Sequence, residues 1–99
     1  MSVDEDGWIL LSAEMFDRLE PLVGAEFTDS AKDTTFSGEP FAGALFMLGR
    51  IAETGGVVDL DFLDRLAGWF LQDDDDDEPF VAELREVFAI LRDRAIKAS

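Results

Sequence analysis

The sequence predicts an all-α fold, a small antiparallel bundle of about four helices. Apolar residues recur at steps of three and four in four separate segments, and glycine, proline and polar links divide these segments. A chain of 99 residues also supports only one hydrophobic core. We therefore predict a single helical domain over residues 8–99, preceded by a flexible acidic tail over residues 1–7.

The composition indicates a folded and strongly acidic protein. Hydrophobic residues make up 47% of the chain and include nine Phe, a content well above that of disordered chains, although the net charge is -15. No apolar stretch approaches the roughly 20 residues that a membrane-spanning helix needs. The first residues carry acids where a signal peptide has bases, so we expect a cytoplasmic protein.

The first helix is expected after residues 8–11, an apolar run that forms either one short N-terminal strand or a staple packed ahead of the helix. Ser12 is a suitable N-cap, and apolar residues follow at helical spacing up to Val23. Pro21 lacks an amide hydrogen, so we expect the helix to kink or stop just before it, with Gly24 available as a terminator.

Residues 24–38 are predicted to be the longest irregular segment. They are rich in Thr, Ser, Asp and Gly, whose side chains or backbone freedom favour turns. Phe27 and Phe36 lie within this segment and are expected to hold it on the core. A loop of this length is unusual in so small a domain, so the segment could also contain a short helix or form a binding loop.

The next helix is expected to open at Ser37, or at Glu39 with Pro40 as its first helical residue. It should run through Glu53 and be closed by Gly55 and Gly56. It is apolar nearly all round, which is typical of a helix that is central or half covered by a partner.

The two remaining helices also have start signals in the sequence. The third begins after Asp59 or Asp61 as the N-cap, and Asp61 with Arg65 predicts an i,i+4 ion pair. The last helix begins at Pro79 and carries the clearest apolar stripe in the chain. The residues of this stripe are Phe80, Leu84, Val87, Phe88, Leu91 and Ala95.

The residue types exclude most catalytic and metal sites. The chain has no His, Cys or Tyr, so the usual general base, the thiolate nucleophile and the zinc ligands are missing. Carboxylate pairs remain, but they need a cleft that excludes solvent, which a bundle of this size has little room to form. No phosphate-binding loop and no EF-hand spacing is present. We predict that the protein is not an enzyme and has no cofactor or metal site.

Six consecutive acids after the third helix are the sharpest functional candidate. They are Asp73, Asp74, Asp75, Asp76, Asp77 and Glu78. The simplest interpretation is a solvated loop that keeps the domain soluble and caps the last helix. The functional interpretation is a docking surface for a basic protein, because clustered like charge accelerates association.

Side chains of the third helix could complete such a surface. Asp61 and Asp64 would add charge, and Trp69 would supply a desolvated contact beside Phe62. Core packing is the more usual fate of an aromatic residue at helical spacing, and we favour it for Trp69. Phe46 and Met47 have the same two alternatives, core packing or exposure, and could instead form a homodimer patch.

Two functions fit these features. The first is a non-catalytic acidic protein that binds and neutralises a basic partner, as an immunity protein, an antitoxin or a nucleic-acid mimic does. The partner would be a nuclease toxin or a nucleic-acid-binding protein, whereas direct binding to nucleic acid or to a membrane would be opposed by charge. The alternative is a small scaffold or regulatory domain whose acidity is an adaptation to high salt.

Overall fold

The computed structural model describes residues 3–71 and 79–98, and these residues form five helices. The helices are α1 (Val3–Val23), α2 (Ala25–Phe36), α3 (Pro40–Thr54), α4 (Leu60–Phe70) and α5 (Pro79–Ala98). The all-α prediction is confirmed, but there is one helix more than the four expected. No strand occurs in either described range, so the alternative of a short N-terminal strand is wrong.

Helix α1 is longer at both ends than the sequence predicted. It begins at Val3, inside the segment expected to be a tail, and it includes residues 8–11. Ser12 is therefore not an N-cap but a buried residue in the middle of the helix. Pro21 does not stop the helix, which ends two residues later before Gly24. Gly24 has a φ of 93° and its N–H donates to the Glu20 carbonyl at 2.7 Å, so it terminates α1 as expected.

Helix α2 occupies most of the segment predicted to be irregular, for which a short helix was one of the alternatives. Its buried residues are Thr28, Ala31 and Thr35, which recur at steps of three and four and form the face that packs against α3. The Thr28 hydroxyl donates to the Gly24 carbonyl at 2.8 Å and so satisfies its own hydrogen bond inside the helix. Phe27 packs partly against the core as expected. Phe36 is 51% exposed, and its ring makes an edge contact with the ring of Phe16.

Helix α3 is the central element, since it packs against α1, α2 and α5. Of the two predicted starts, Glu39 followed by Pro40 is the one observed. The helix ends at Thr54, and Gly55 closes it in the left-handed conformation as expected. Arg94 of α5 crosses to the end of α3 and donates to the carbonyls of Gly56 at 2.9 Å and Ala52 at 3.1 Å. A cation at a helix C-terminus stabilises the exposed carbonyl groups, so this contact fastens α5 to α3.

Asp59 is the N-cap of helix α4, and its carboxylate accepts a hydrogen bond from the Phe62 N–H at 3.1 Å. The helix packs mainly against α5. The predicted stripe of α5 faces the core, with Val87 and Phe80 only partly buried. The largest fully buried side chains of the core are Phe16, Phe62, Met15, Met47, Leu48, Ile51, Leu63, Leu66, Leu84 and Leu91.

Candidate partner-binding surfaces

The outer face of α4 carries two of the predicted binding residues, and they differ in availability. Asp61 is exposed and forms no ion pair with any residue that the structure describes. Asp64 is also exposed, but its carboxylate is paired with Arg92 of α5. The predicted ion pair between Asp61 and Arg65 does not form, because Arg65 reaches across to Glu14 of α1 instead.

Glu14 is the centre of a charged cluster between α1 and α4. Arg65 binds both of its carboxylate oxygens, at 2.7 and 3.0 Å, and Arg18 binds one of them at 3.2 Å. The hydrogen bond from Arg65, opposed by partial desolvation and supported by Arg18, lowers the pKa of Glu14. The same bond raises the pKa of Arg65. Arg18 and Arg65 therefore neutralise Glu14 and leave the charge of the other acids on this surface uncompensated.

Phe62 is not available to a partner. It is only 1% exposed, and the guanidinium of Arg18 lies 4.2 Å from the centre of its ring. The contact is a cation–π interaction that also shields the ring from solvent. Phe62 therefore offers a partner no contact beside Trp69.

Trp69 is partly buried and belongs to an aromatic cluster on the α1 side of α4. Its ring centre lies 6.1 Å from that of Phe41 and 5.0 Å from that of Phe70. The indole Nε1 is buried and has no acceptor among the residues of the two described ranges. Trp69 also lines a shallow groove together with Leu10 and Leu11 of α1. Trp69 thus packs against the core, as we favoured, and is also partly exposed in the groove, as a contact residue would be.

The predicted site is therefore not assembled as one cluster on α4. Asp64 faces α5 through Arg92, whereas Trp69 lies on the α1 flank beside Arg65. Asp61 lies on the outer face between them. The six predicted acids of the run, Asp73, Asp74, Asp75, Asp76, Asp77 and Glu78, lie outside the described residues.

Most of the basic side chains bind acidic side chains or backbone carbonyls of the same chain. At least five of the eight form ion pairs with acids of the same chain, and Arg94 is bound to backbone carbonyls. Several exposed acids have no cation partner within residues 3–71 and 79–98. They are Asp17, Glu26, Asp29, Asp33, Glu39, Asp61, Glu83 and Glu86. The outward-facing charge of the described surface is thus strongly negative.

A second surface was not predicted from the sequence. An open groove of about 740 Å³ lies between α2, α3 and α5. Its apolar lining includes Phe46, which is 50% exposed, and Ile90, which is 48% exposed. Of the two predicted alternatives, exposure is the one observed for Phe46 and core packing the one observed for Met47. Met47 therefore contributes nothing to a surface patch.

The described residues contain no cluster of acids arranged to hold a metal ion. Within the same ranges, no helix combines the length and the apolar character that crossing a bilayer would require. No protein-family model, curated protein or solved structure matches the chain.

Proposed function

We propose that this chain is a non-catalytic, cytoplasmic interaction protein that binds and neutralises a basic protein, in the manner of an immunity protein, an antitoxin or a nucleic-acid mimic. The observation that supports the proposal best is that most basic side chains are paired within the chain, which leaves many exposed acids without a cation. Arg18, Arg65 and Arg92 are bound to Glu14 and Asp64, while Asp61, Glu83 and Glu86 extend into solvent without partners among the described residues.

The mechanism we propose is electrostatic attraction followed by steric occlusion. Carboxylates of this chain would occupy the positions at which a basic partner binds phosphates. Their long-range electrostatic field would accelerate the encounter. The acid run at residues 73–78 and the exposed Asp61 would carry the attraction, with Trp69 as the apolar contact. Asp64 would contribute less, since its charge is already compensated by Arg92.

The test is the association rate with the basic partner, isolated first by affinity purification and then purified for stopped-flow measurement. Asp75→Lys combined with Asp76→Lys should slow association by about tenfold or more and should flatten its dependence on salt. Asp29→Lys combined with Asp33→Lys is the matched control, because it makes the same change in net charge on α2. Equal slowing by both pairs would mean that net charge matters and the acid run does not. An unchanged rate in the first pair would refute its role.

A second candidate function is supported by the distribution of the unpaired acids. Asp17 and Glu26 lie on α1 and α2, and Asp61 and Glu83 lie on α4 and α5, so the charge is spread over most of the surface. A spread of this kind suits a scaffold or regulatory domain adapted to high salt at least as well as it suits one docking face. The two candidates differ in how the folded state should respond to low salt.

A further inference from the structure

We propose that the groove between α2, α3 and α5 binds an amphipathic helix that carries basic residues beside its apolar stripe, on the side that faces α5. The inference rests on the proposed function and assigns to it a second contact surface. Phe46 and Ile90 are large apolar side chains, each about half exposed, and both line the same groove with Val87. Adjacent exposed apolar side chains in a concave surface are typical of an interaction site.

The length of the groove fits two turns of a helix. Along α5 its lining runs from Glu83 to Ile90, and along α3 from Leu45 to Glu53. At about 1.5 Å per residue these spans are roughly 10–12 Å. A docked helix presents anchors at positions i, i+3 or i+4, and i+7, which cover about the same distance.

The charge at the rim selects the kind of helix. Glu83 and Glu86 line the α5 side of the groove and have no cation partner among the described residues. Glu53 on the α3 side is paired with Arg50, the one basic residue of the described lining. Arg50 lies 3.9 Å from the Glu53 carboxylate and 5.7 Å from the ring centre of Phe27, so its charge is partly compensated. Lysine or arginine residues beside an apolar stripe would therefore meet carboxylates.

The same charges argue against two other occupants. The chain's own acid run, residues 73–78, carries six carboxylates and would be repelled by the rim. A second copy bound through a two-fold axis would bring two net-negative surfaces together, because the described lining of the groove carries three glutamates and one arginine. A basic helix from another protein is the occupant that meets no such repulsion.

The experiment measures fluorescence anisotropy with the full chain and two labelled peptides of about 18 residues. One peptide has leucines at i, i+3, i+4 and i+7 flanked by lysines, and the other has the same composition in scrambled order. The first should bind at least about tenfold more tightly near 150 mM salt. Phe46→Ser with Ile90→Ser should remove this preference. Glu83→Gln with Glu86→Gln should weaken the binding of both peptides.

Leu22→Ser with Ile96→Ser is the control pair, because both residues are large, apolar and exposed but do not line the groove. This pair should bind the striped peptide like the natural chain. Circular dichroism checks that each variant remains helical. The inference is overturned if the peptides bind equally, or if the Phe46 and Ile90 changes leave the preference intact. It is also overturned if the natural chain is a dimer that these changes make monomeric, because the occupant would then be a second copy.

Failure of the groove inference can be distinguished from failure of the proposed function. If Asp75→Lys with Asp76→Lys weakens peptide binding and the groove changes do not, the groove inference fails while an acidic docking surface remains supported. If the groove changes abolish the preference but the acid-run changes leave association with the basic partner unchanged, the role of the acid run fails while the groove inference stands.

Discussion

Gly43 and Gly49 lie six residues apart in α3, and adding a methyl group should have opposite effects at the two positions. A Cβ at Gly43 would overlap the Thr35 hydroxyl and lie 2.9 Å from Thr35 Cβ, whereas a Cβ at Gly49 would meet nothing within 4 Å. Gly43→Ala should lower the free energy of unfolding by about 1–3 kcal/mol through overpacking. Gly49→Ala should raise it by about 0.5–1 kcal/mol through helix propensity. Urea unfolding followed by circular dichroism measures both.

Thr35→Ala tests the cause of the difference. The Thr35 hydroxyl is buried and has no hydrogen-bond partner in the described part of the chain, so its removal alone should cost little. Combined with Gly43→Ala, it should recover part of the lost stability, because the overlapping oxygen is gone while Thr35 Cβ remains close. If the two changes were additive, contact with α2 would not be the reason that α3 has glycine at this position.

The Glu14 cluster predicts a pH dependence of stability. The pKa of Glu14 is lower in the folded chain than its ordinary value, chiefly through the hydrogen bond from Arg65. Its contribution is therefore fully present above the ordinary pKa of a glutamate and is lost as the pH falls through the lowered, folded-state value. Glu14→Gln should lower the melting temperature at pH 7, and the difference from the natural chain should vanish at low pH. A constant difference at all pH values would contradict a charge-based contribution.

Among the helices, α4 offers a direct test of capping. The Asp59 carboxylate accepts the Phe62 N–H, while Asp61, two residues later, caps nothing. Asp59→Ala should cost about 1 kcal/mol of the free energy of unfolding because one orphan N–H is left to solvent. Asp61→Ala is the matched control and should cost only a few tenths of a kcal/mol, through the helix dipole. Equal losses, measured by urea unfolding, would show that charge near the N-terminus matters and the hydrogen bond does not.

Helix α2 shows where sequence patterns were insufficient. Its Thr, Ser and Asp residues favour turns when judged singly, and this local preference predicted a loop. In the fold, Thr28 and Thr35 are buried against α3, and Gly43 lets the two helices approach closely. Tertiary packing thus outweighs local propensity in α2. The helix boundaries at Pro40, Gly55 and Pro79 were predictable because they depend on the backbone of these residues. Asp59 was one of two predicted caps, because its carboxylate bonds a backbone N–H only three residues away.

Some features of the candidate surfaces could be predicted from the sequence, and others could not. The exposure of Asp61 followed from its position on the polar face of α4 and could be predicted. The pairing of Asp64 with Arg92 and of Arg65 with Glu14 could not, because these partners come from α5 and α1 and are far apart in the sequence. The groove was missed for a related reason. Phe46 and Ile90 come together only through the packing of α3 against α5.

At the scale of the whole molecule, a net charge of -15 on 99 residues must be reconciled with a compact core. Two devices in the structure limit the repulsion. Two acids are paired with arginines from other helices, Glu14 with Arg65 and Asp64 with Arg92, and Arg94 fastens α5 to the end of α3. The other described acids lie on the solvent-exposed faces of several helices, where the high dielectric constant of water weakens their mutual repulsion.

This arrangement predicts that the fold does not depend on high salt. Between about 10 mM and 2 M salt the screening length falls from roughly 30 Å to a few ångströms, so any destabilising repulsion should appear at the low end. We expect the helical circular dichroism signal to be the same throughout. Asp29→Asn with Asp33→Asn, which removes two charges from the outer face of α2, should then leave the signal unchanged at all salt concentrations. If the natural chain instead unfolds at low salt and these substitutions restore helicity, the acidity is an adaptation to salt. The proposal of a basic partner would then lose its main support, since the unpaired carboxylates would be explained without one.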